Sequence, residues 1–144
     1  MNSQQIYTTL KQLLFKIGKE KILWYLEGSV NLFVQSVPIE PKDIDITTNP
    51  EDLAVFRKIL KKEIIKDFYI SEKKAHVLKC LLNKREVEIA VYEDKDKSSF
   101  NTIKNIIWKD LKLPAQPLLQ ALKFYKRIKR QDKVQLLEQF LAKN

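Results

Sequence analysis

Cysteine, histidine and glycine are scarce in this 144-residue chain: one, one and two residues. The lone Cys80 excludes an internal disulfide and suits a reducing compartment. It sits in the apolar run VLKCLL and reads as a small buried hydrophobe rather than a nucleophile. The lone His76 leaves little material for a Ser-His-Asp triad or a zinc site, so it reads as an ordinary strand residue. No early stretch has the apolar length of a signal peptide or a membrane span, so a cytoplasmic protein with no membrane partner is expected. No internal repeat, linker or low-complexity segment divides the chain. Acids are outnumbered, with 18 Asp and Glu against 27 Lys and Arg, a formal net charge of +9. Such an excess favours anionic partners (nucleotides, nucleic acid or acidic surfaces) without choosing among them. A lysine-rich solvated face accounts for it equally well.

Apolar residues make up 44% of the chain, which suits one globular domain with a modest core. Residues 4–17 have helical apolar spacing at Ile6, Leu10, Leu13, Leu14 and Ile17, with Ser3 as a cap and Gly18 at the C-terminal end. The run KILWYLE, 21–27, reads as a first strand buried on both faces and ending at Gly28. A short helix is expected over 29–36, then a proline-stopped loop. DIDIT, 43–47, alternates as a strand, with Ile44 and Ile46 on one face and Asp43 and Asp45 on the other. Asn49-Pro50 opens a helix to about Lys62. Three β-like runs follow at 64–71, 75–82 and 86–92, the last two joined through Asn83-Lys84-Arg85 as a hairpin. Residues 93–101 read as a polar loop, and 103–113 as a hairpin turning near Lys109-Asp110. A final helix is expected over 117–142, with a break near Gln131-Asp132. The expected fold is α+β: a small mixed sheet with helices on one side, a core over 1–113 and a helical segment over 114–144.

The chemistry concentrates between Trp24 and Asn49. Residues i and i+2 on a strand point the same way, roughly 6–7 Å apart, so Asp43 and Asp45 can converge on one divalent ion or on two adjacent ones. Carboxylate oxygens suit Mg²⁺, which keeps waters and also takes phosphate oxygens. A third carboxylate is expected from REVEIAVY. Glu88, central among apolar neighbours, is preferred over Glu86, nearer the turn; an edge-strand surface position is the bland reading of Glu88. Gly28 lets backbone approach a phosphate, and Ser29 can donate to its oxygens. Lys42, Lys123 and Arg127 are the cations expected at a nucleotide. Lys123, Lys126, Arg127, Arg130 and Lys133 form a basic stripe that reads as a solvated helix face or as a contact for triphosphate or RNA. Trp24, Tyr25 and Trp108 read as packing residues, although Tyr92 or Trp108 has the chemistry to flank a base.

Gly28-Ser29, a gap of about a dozen residues and then Asp43-Ile44-Asp45 resembles the signature of the DNA polymerase β-like nucleotidyltransferase superfamily. WYLEGSVNLFV and PKDIDITTNPEDL look like its small single-domain members, similar to the compact cores of CCA-adding enzymes and antibiotic nucleotidyltransferases. The similarity covers about residues 20–60 and extends more loosely to Glu88. It implies that Gly28 and Ser29 bind nucleotide phosphates and that Asp43 and Asp45 hold metals. Glu88 would be the third acid, ligating a metal and helping to deprotonate the acceptor; the family often has Asp there, and Glu adds a methylene. The implied reaction is Mg²⁺-dependent transfer of a nucleoside monophosphate from a triphosphate to an acceptor hydroxyl on RNA, protein or a small compound. Two other classes remain open. A monomer or homodimer is expected in every case; one of these classes is a non-catalytic module binding nucleotide, RNA or a toxin-like partner. The other is a nucleic-acid-binding protein driven by the basic stripe.

Overall fold

A computed structural model describes residues 1–94 and 97–143. Lys95 and Asp96, within the polar loop expected over 93–101, lie outside the described residues. The first helix, α1, runs Ser3–Ile17. Its cap is Asn2, not Ser3: the Asn2 side chain accepts from Gln5 N–H and the Gln5 side chain accepts from Asn2 N–H, at 2.8 and 3.0 Å. Gly18 ends it at φ +56°. Strand β1 is only Trp24–Glu27, all four residues buried. Residues 21–23 stay outside the sheet because Leu23 N–H donates to the Asp52 carboxylate at 2.8 Å.

Helix α2 spans Gly28–Val34, and β2 spans Ile44–Thr48. Helix α3, Pro50–Ile59, starts as its sequence dictates: Asn49 accepts from Asp52 N–H, Pro50 fills the first turn and Glu51 and Asp52 face the N-terminal dipole. It ends before Lys62, because Leu60 leaves helical geometry at ψ +19°. Strands β3 (Ile64–Ile70), β4 (Ala75–Leu82) and β5 (Arg85–Tyr92) form an antiparallel meander. Asn83 and Lys84 both take positive φ, which matches the twist of a two-residue hairpin. A short 3-10 segment, Lys97–Thr102, leads to the hairpin β6 (Lys104–Trp108) and β7 (Leu111–Ala115), turning at Lys109-Asp110. The expected final helix is two, α4 (Leu118–Arg127) and α5 (Gln131–Lys143). The break falls at residues 128–130, ahead of Gln131-Asp132, where Lys129 sits at φ +60°. Among the described residues no helix is long and apolar enough to cross a membrane.

The seven strands make one mixed sheet in the order β3-β4-β5-β2-β1-β7-β6. Two pairs are parallel, β2 with β5 and β1 with β7. The parallel pairs lie at the centre of the sheet, where β2 and β5 bury one face in the core and leave Asp45 and Glu88 only partly buried on the other. Leu26, Ile44, Ile46, Val87, Ile89 and Leu78 point from the sheet into a core filled by Ile6, Leu10 and Leu13 of α1 and by Leu53 and Phe56 of α3. Helix α2 contributes Val30 and Val34 to that core and turns Leu32 toward Ala121, Tyr125, Val134 and Leu137, seating α4 and α5 against its flank.

One polar clamp fixes where α4 begins. Asn31, fully buried, donates to Gln116 C=O at 3.0 Å and accepts from Gln116 N–H at 3.1 Å. Gln35 donates to the same carbonyl at 2.8 Å. The exit of β7 is therefore tied to α2 by side chains that imitate a strand partner. Replacing Asn31 by Ala removes both of its bonds to the Gln116 backbone, leaving one partner each from Gln35 and Leu26 C=O, and is expected to cost about 1–2 kcal/mol, read as a lower urea midpoint with an unchanged slope.

Candidate functional site

The register of the central strands builds the site. Glu27 lies opposite Asp45, Asp45 opposite Glu88, and Glu88 opposite Lys79, across β1, β2, β5 and β4. Their strand neighbours Leu26, Ile46, Ile89 and Cys80 enter the core, so this row occupies the other face of the sheet. Glu88 is thus central and not on an edge. Asp43 is exposed one residue before β2, with the same parity as Asp45. Ser29 Oγ accepts from Lys42 N–H at 2.9 Å, tying the segment that carries Asp43 to the start of α2.

Gly28 is required twice over. Its φ is +69°, and a Cβ there would stand 2.7 Å from Asp45 Oδ2. The glycine at the end of β1 is what lets the Asp45 carboxylate come close against backbone.

These residues open on a cleft of about 750 Å³. Glu27, Gly28, Ser29, Asp43, Asp45 and Glu88 line it, and so do Lys42, Arg127, Arg130 and Lys133, with Glu72, Lys73 and Asp94 at the β3–β4 turn and the end of β5. Tyr92, Phe124, Tyr125 and Gln116 also line it. Lys123, expected at the nucleotide, does not line the cleft; it stands exposed on α4, as does Lys126. The helix break at 128–130 brings Arg130 and Lys133 to the cleft instead. Glu27 and Gln116 were not singled out from the sequence, because only the non-local pairing of β1 with β2 and β7 puts them in the row.

The electrostatics follow from that crowding. Burial pushes the Asp45 carboxyl up to about 7, helped by Glu88 and Asp43 and opposed by Lys73. Burial, then Asp45 and Glu88, pushes the Tyr92 hydroxyl up to about 12. Lys133 is held below the ordinary lysine value by partial burial and by Arg130 and Lys42, against a raising pull from Asp132. Lys79 stands 3.7 Å from Glu88 Oε1 and 3.8 Å from Glu86 Oε2, shared between them.

Among the described residues no three acidic, His or Cys side chains close on one point as a ready-made cation cage. The donor set nevertheless fits Mg²⁺, which rarely takes an all-protein cage and draws its remaining ligands from water and phosphate. Asp43 and Asp45 are oxygen donors open to a cleft with space for both, and the Asp45 carboxyl is crowded by Glu88 and Asp43 more than Lys73 offsets.

The residues read as structural lie elsewhere. His76 bonds Asp67 at 2.7 Å, beside Arg57, on the helix-covered face of β3 and β4. Trp108 packs edge-on to Tyr7 and Phe33. Cys80 is fully buried, its thiol pushed up to about 12 by burial first and by Glu63 and Asp67 next.

No protein-family model matches the chain, and no curated protein does. Solved structures do match. The Thermotoga maritima protein TM1012, assigned as a nucleotidyltransferase, superposes with a TM-score of 0.80 at 22% identity, over 100% of this chain and 97% of that one. The lincosamide antibiotic adenylyltransferase LnuA, with lincomycin bound, gives 0.62 at 13% identity over 96% and 97%. ANT(2'')-Ia in complex with adenylyl-2''-tobramycin gives 0.62 at 10% identity over 97% and 90%. The chain therefore has the α+β nucleotidyltransferase fold along its whole length, beyond the 20–60 segment where sequence resemblance is visible.

The raised Asp45 carboxyl fixes a sign. Its folded value lies above the unfolded one, so the folded protein holds a proton the unfolded chain releases. Stability should fall as pH rises from about 4 to about 7 and stay low above that. Asp45→Asn removes the penalty and is expected to stabilise the protein at pH 8 by about 1–4 kcal/mol, with little gain at pH 4. Thermal or urea denaturation at the two pH values measures this directly.

Proposed function

We propose that the protein is a nucleotidyltransferase moving a nucleoside monophosphate from a triphosphate to an acceptor hydroxyl. The observation that carries this reading is the carboxylate row, Asp45 beside Glu88 with Asp43 ahead of it, sharing a cleft with Lys42, Arg127, Arg130 and Lys133 on the nucleotidyltransferase fold. Asp43 and Asp45, with Glu88 adjacent, would hold Mg²⁺. When bound, the ion supplies charge stabilisation to the entering and leaving oxygens of an in-line displacement.

The chain's own residues do the rest. Gly28 offers its backbone without a Cβ in the way. Ser29 uses a lone pair on Lys42 N–H, so its own hydrogen remains to donate to a phosphate oxygen. Lys42, Arg127, Arg130 and Lys133 oppose the negative charge of the triphosphate and its pyrophosphate product. The acceptor oxygen attacks the α-phosphorus, the bond to pyrophosphate breaks, and the acceptor proton passes to Glu88. Catalysis in such a site is positioning plus electrostatic stabilisation. RNA, a protein and a small hydroxyl compound are all compatible acceptors.

A second reading, binding without turnover, is favoured by one observation: Lys79 bridges Glu86 and Glu88, giving Glu88 a structural partner. The two readings separate with labelled triphosphates and Mg²⁺. Under the first, Glu88→Gln binds nucleotide and loses about 10²–10⁴-fold in transfer. Under the second, wild type binds, transfers nothing, and is indifferent to Glu88→Gln. Asp43→Ala with Asp45→Ala should abolish Mg²⁺-dependent nucleotide binding in a folded protein; an undiminished signal ends the metal-site proposal.

A further inference from the structure

Gln116 stands where the exit of β7 meets the cleft. It is 8% exposed and directly follows β7. Its backbone is fully engaged, donating to Asn31 Oδ1 and to Leu26 C=O at 3.2 Å and accepting from Asn31 and Gln35. Its side-chain amide, by contrast, has no hydrogen-bond partner among the described residues. That amide is not sealed from solvent, so it stays available to a ligand entering the cleft. Leu26 lies opposite Ala115, so the next residues, Glu27 and Gln116, share the face of the carboxylate row, and both line the cleft. A side chain carried on a backbone clamped by two buried amides is preorganised to meet a ligand.

We propose that the Gln116 amide is the specificity-determining group for the nucleobase, pairing with a donor and an acceptor side by side on the base edge. This rests on the nucleotidyl transfer reading above. Neighbouring strands are about 4.8 Å apart, so Gln116, two strands from β2, stands about 10 Å along the row from Asp45. That matches the reach from an α-phosphate across a ribose to its base. A neutral amide adds little at a phosphate, where the basic side chains already serve, whereas glutamine pairs bidentately with a base edge. Phe124 and Tyr125 bound the same cleft, Tyr125 buried against Val134 and Leu137 and Phe124 with the Arg127 guanidinium 5.6 Å from its ring centre. The amide is then the group able to tell one base from another.

The test is calorimetric binding of the four ribonucleoside triphosphates and of inorganic tripolyphosphate, with Mg²⁺, to the full chain. Wild type is expected to prefer one base by about tenfold or more. Gln116→Leu should bring all four within about twofold while tripolyphosphate affinity holds. Gln116→Glu keeps the shape and loses the –NH₂ donor, so it should reorder the bases; it also preserves the test should the leucine variant not fold. An unchanged preference in the variants overturns the proposal, and so does a wild type that treats all four bases alike. Failure of wild type to bind any triphosphate or tripolyphosphate overturns the nucleotidyl transfer reading along with it.

Discussion

A single close approach organises the site: the Asp45 carboxylate occupies the space where any residue other than glycine at position 28 would place its Cβ. The approach ties three elements together. Gly28 must take a positive φ, which turns the chain sharply from β1 into α2. Strand β2 must pair with β1 in the register that sets Asp45 opposite Glu27, since a one-residue slip would send Asp45 into the core and Ile44 or Ile46 out of it. Helix α2 must then start at once, and its buried Val30 and Val34 fix its face.

The same approach sets fold against charge. A carboxylate crowded by Glu88 and Asp43 and shielded from water is destabilising, as the upward push on Asp45 records. The surrounding packing offsets it. Leu26, Ile44, Ile46, Val87 and Ile89 are buried to 1% exposure or less on the reverse face of the same strands, and each such side chain contributes roughly 1.5–3 kcal/mol of transfer free energy. The sheet can therefore hold an unfavourable charge in a fixed place, which is what a site preorganised for a cation needs.

Local signals in the sequence carry much of this and stop at a definable point. The alternation of Asp43, Ile44, Asp45 and Ile46, the Asn49-Pro50 start and the 83–84 turn each act within a few residues, and each is legible. Glu88 was legible because its strand alternates cleanly. Glu27 sits in a run apolar on both sides, and Gln116 beside prolines; nothing local marks either, and only strand order brings them to the row. Lys42 and Arg127 line the cleft as expected, and Lys123 misses it for another reason. Periodicity treats 117–142 as one helix, and Lys129 at φ +60° carries neither of the residue types that advertise a left-handed turn. The break re-aims everything beyond it, exchanging Lys123 for Arg130 and Lys133 at the cleft.

The acids of the central strands and the cations of Lys42, α4 and α5 remain apart. Among the described residues no ion pair joins Asp43, Asp45 or Glu88 to Lys42, Arg127, Arg130 or Lys133; Arg130 pairs with its own neighbour Asp132, and Glu88 with Lys79 behind it. Flexible acids and bases around a shared space would close on one another. Here the acids stand on central strands and Lys133 on a helix seated against α2, so the separation belongs to the scaffold. An occupant suited to such a space presents positive charge to the row and negative charge to the lysines and arginines. A divalent cation bound to a polyphosphate has that polarity, whereas a uniformly anionic partner such as bare nucleic acid would be repelled by the row. The separation of the two signs, more than the excess of positive charge over the whole chain, is what distinguishes the nucleotide reading from a general affinity for anions.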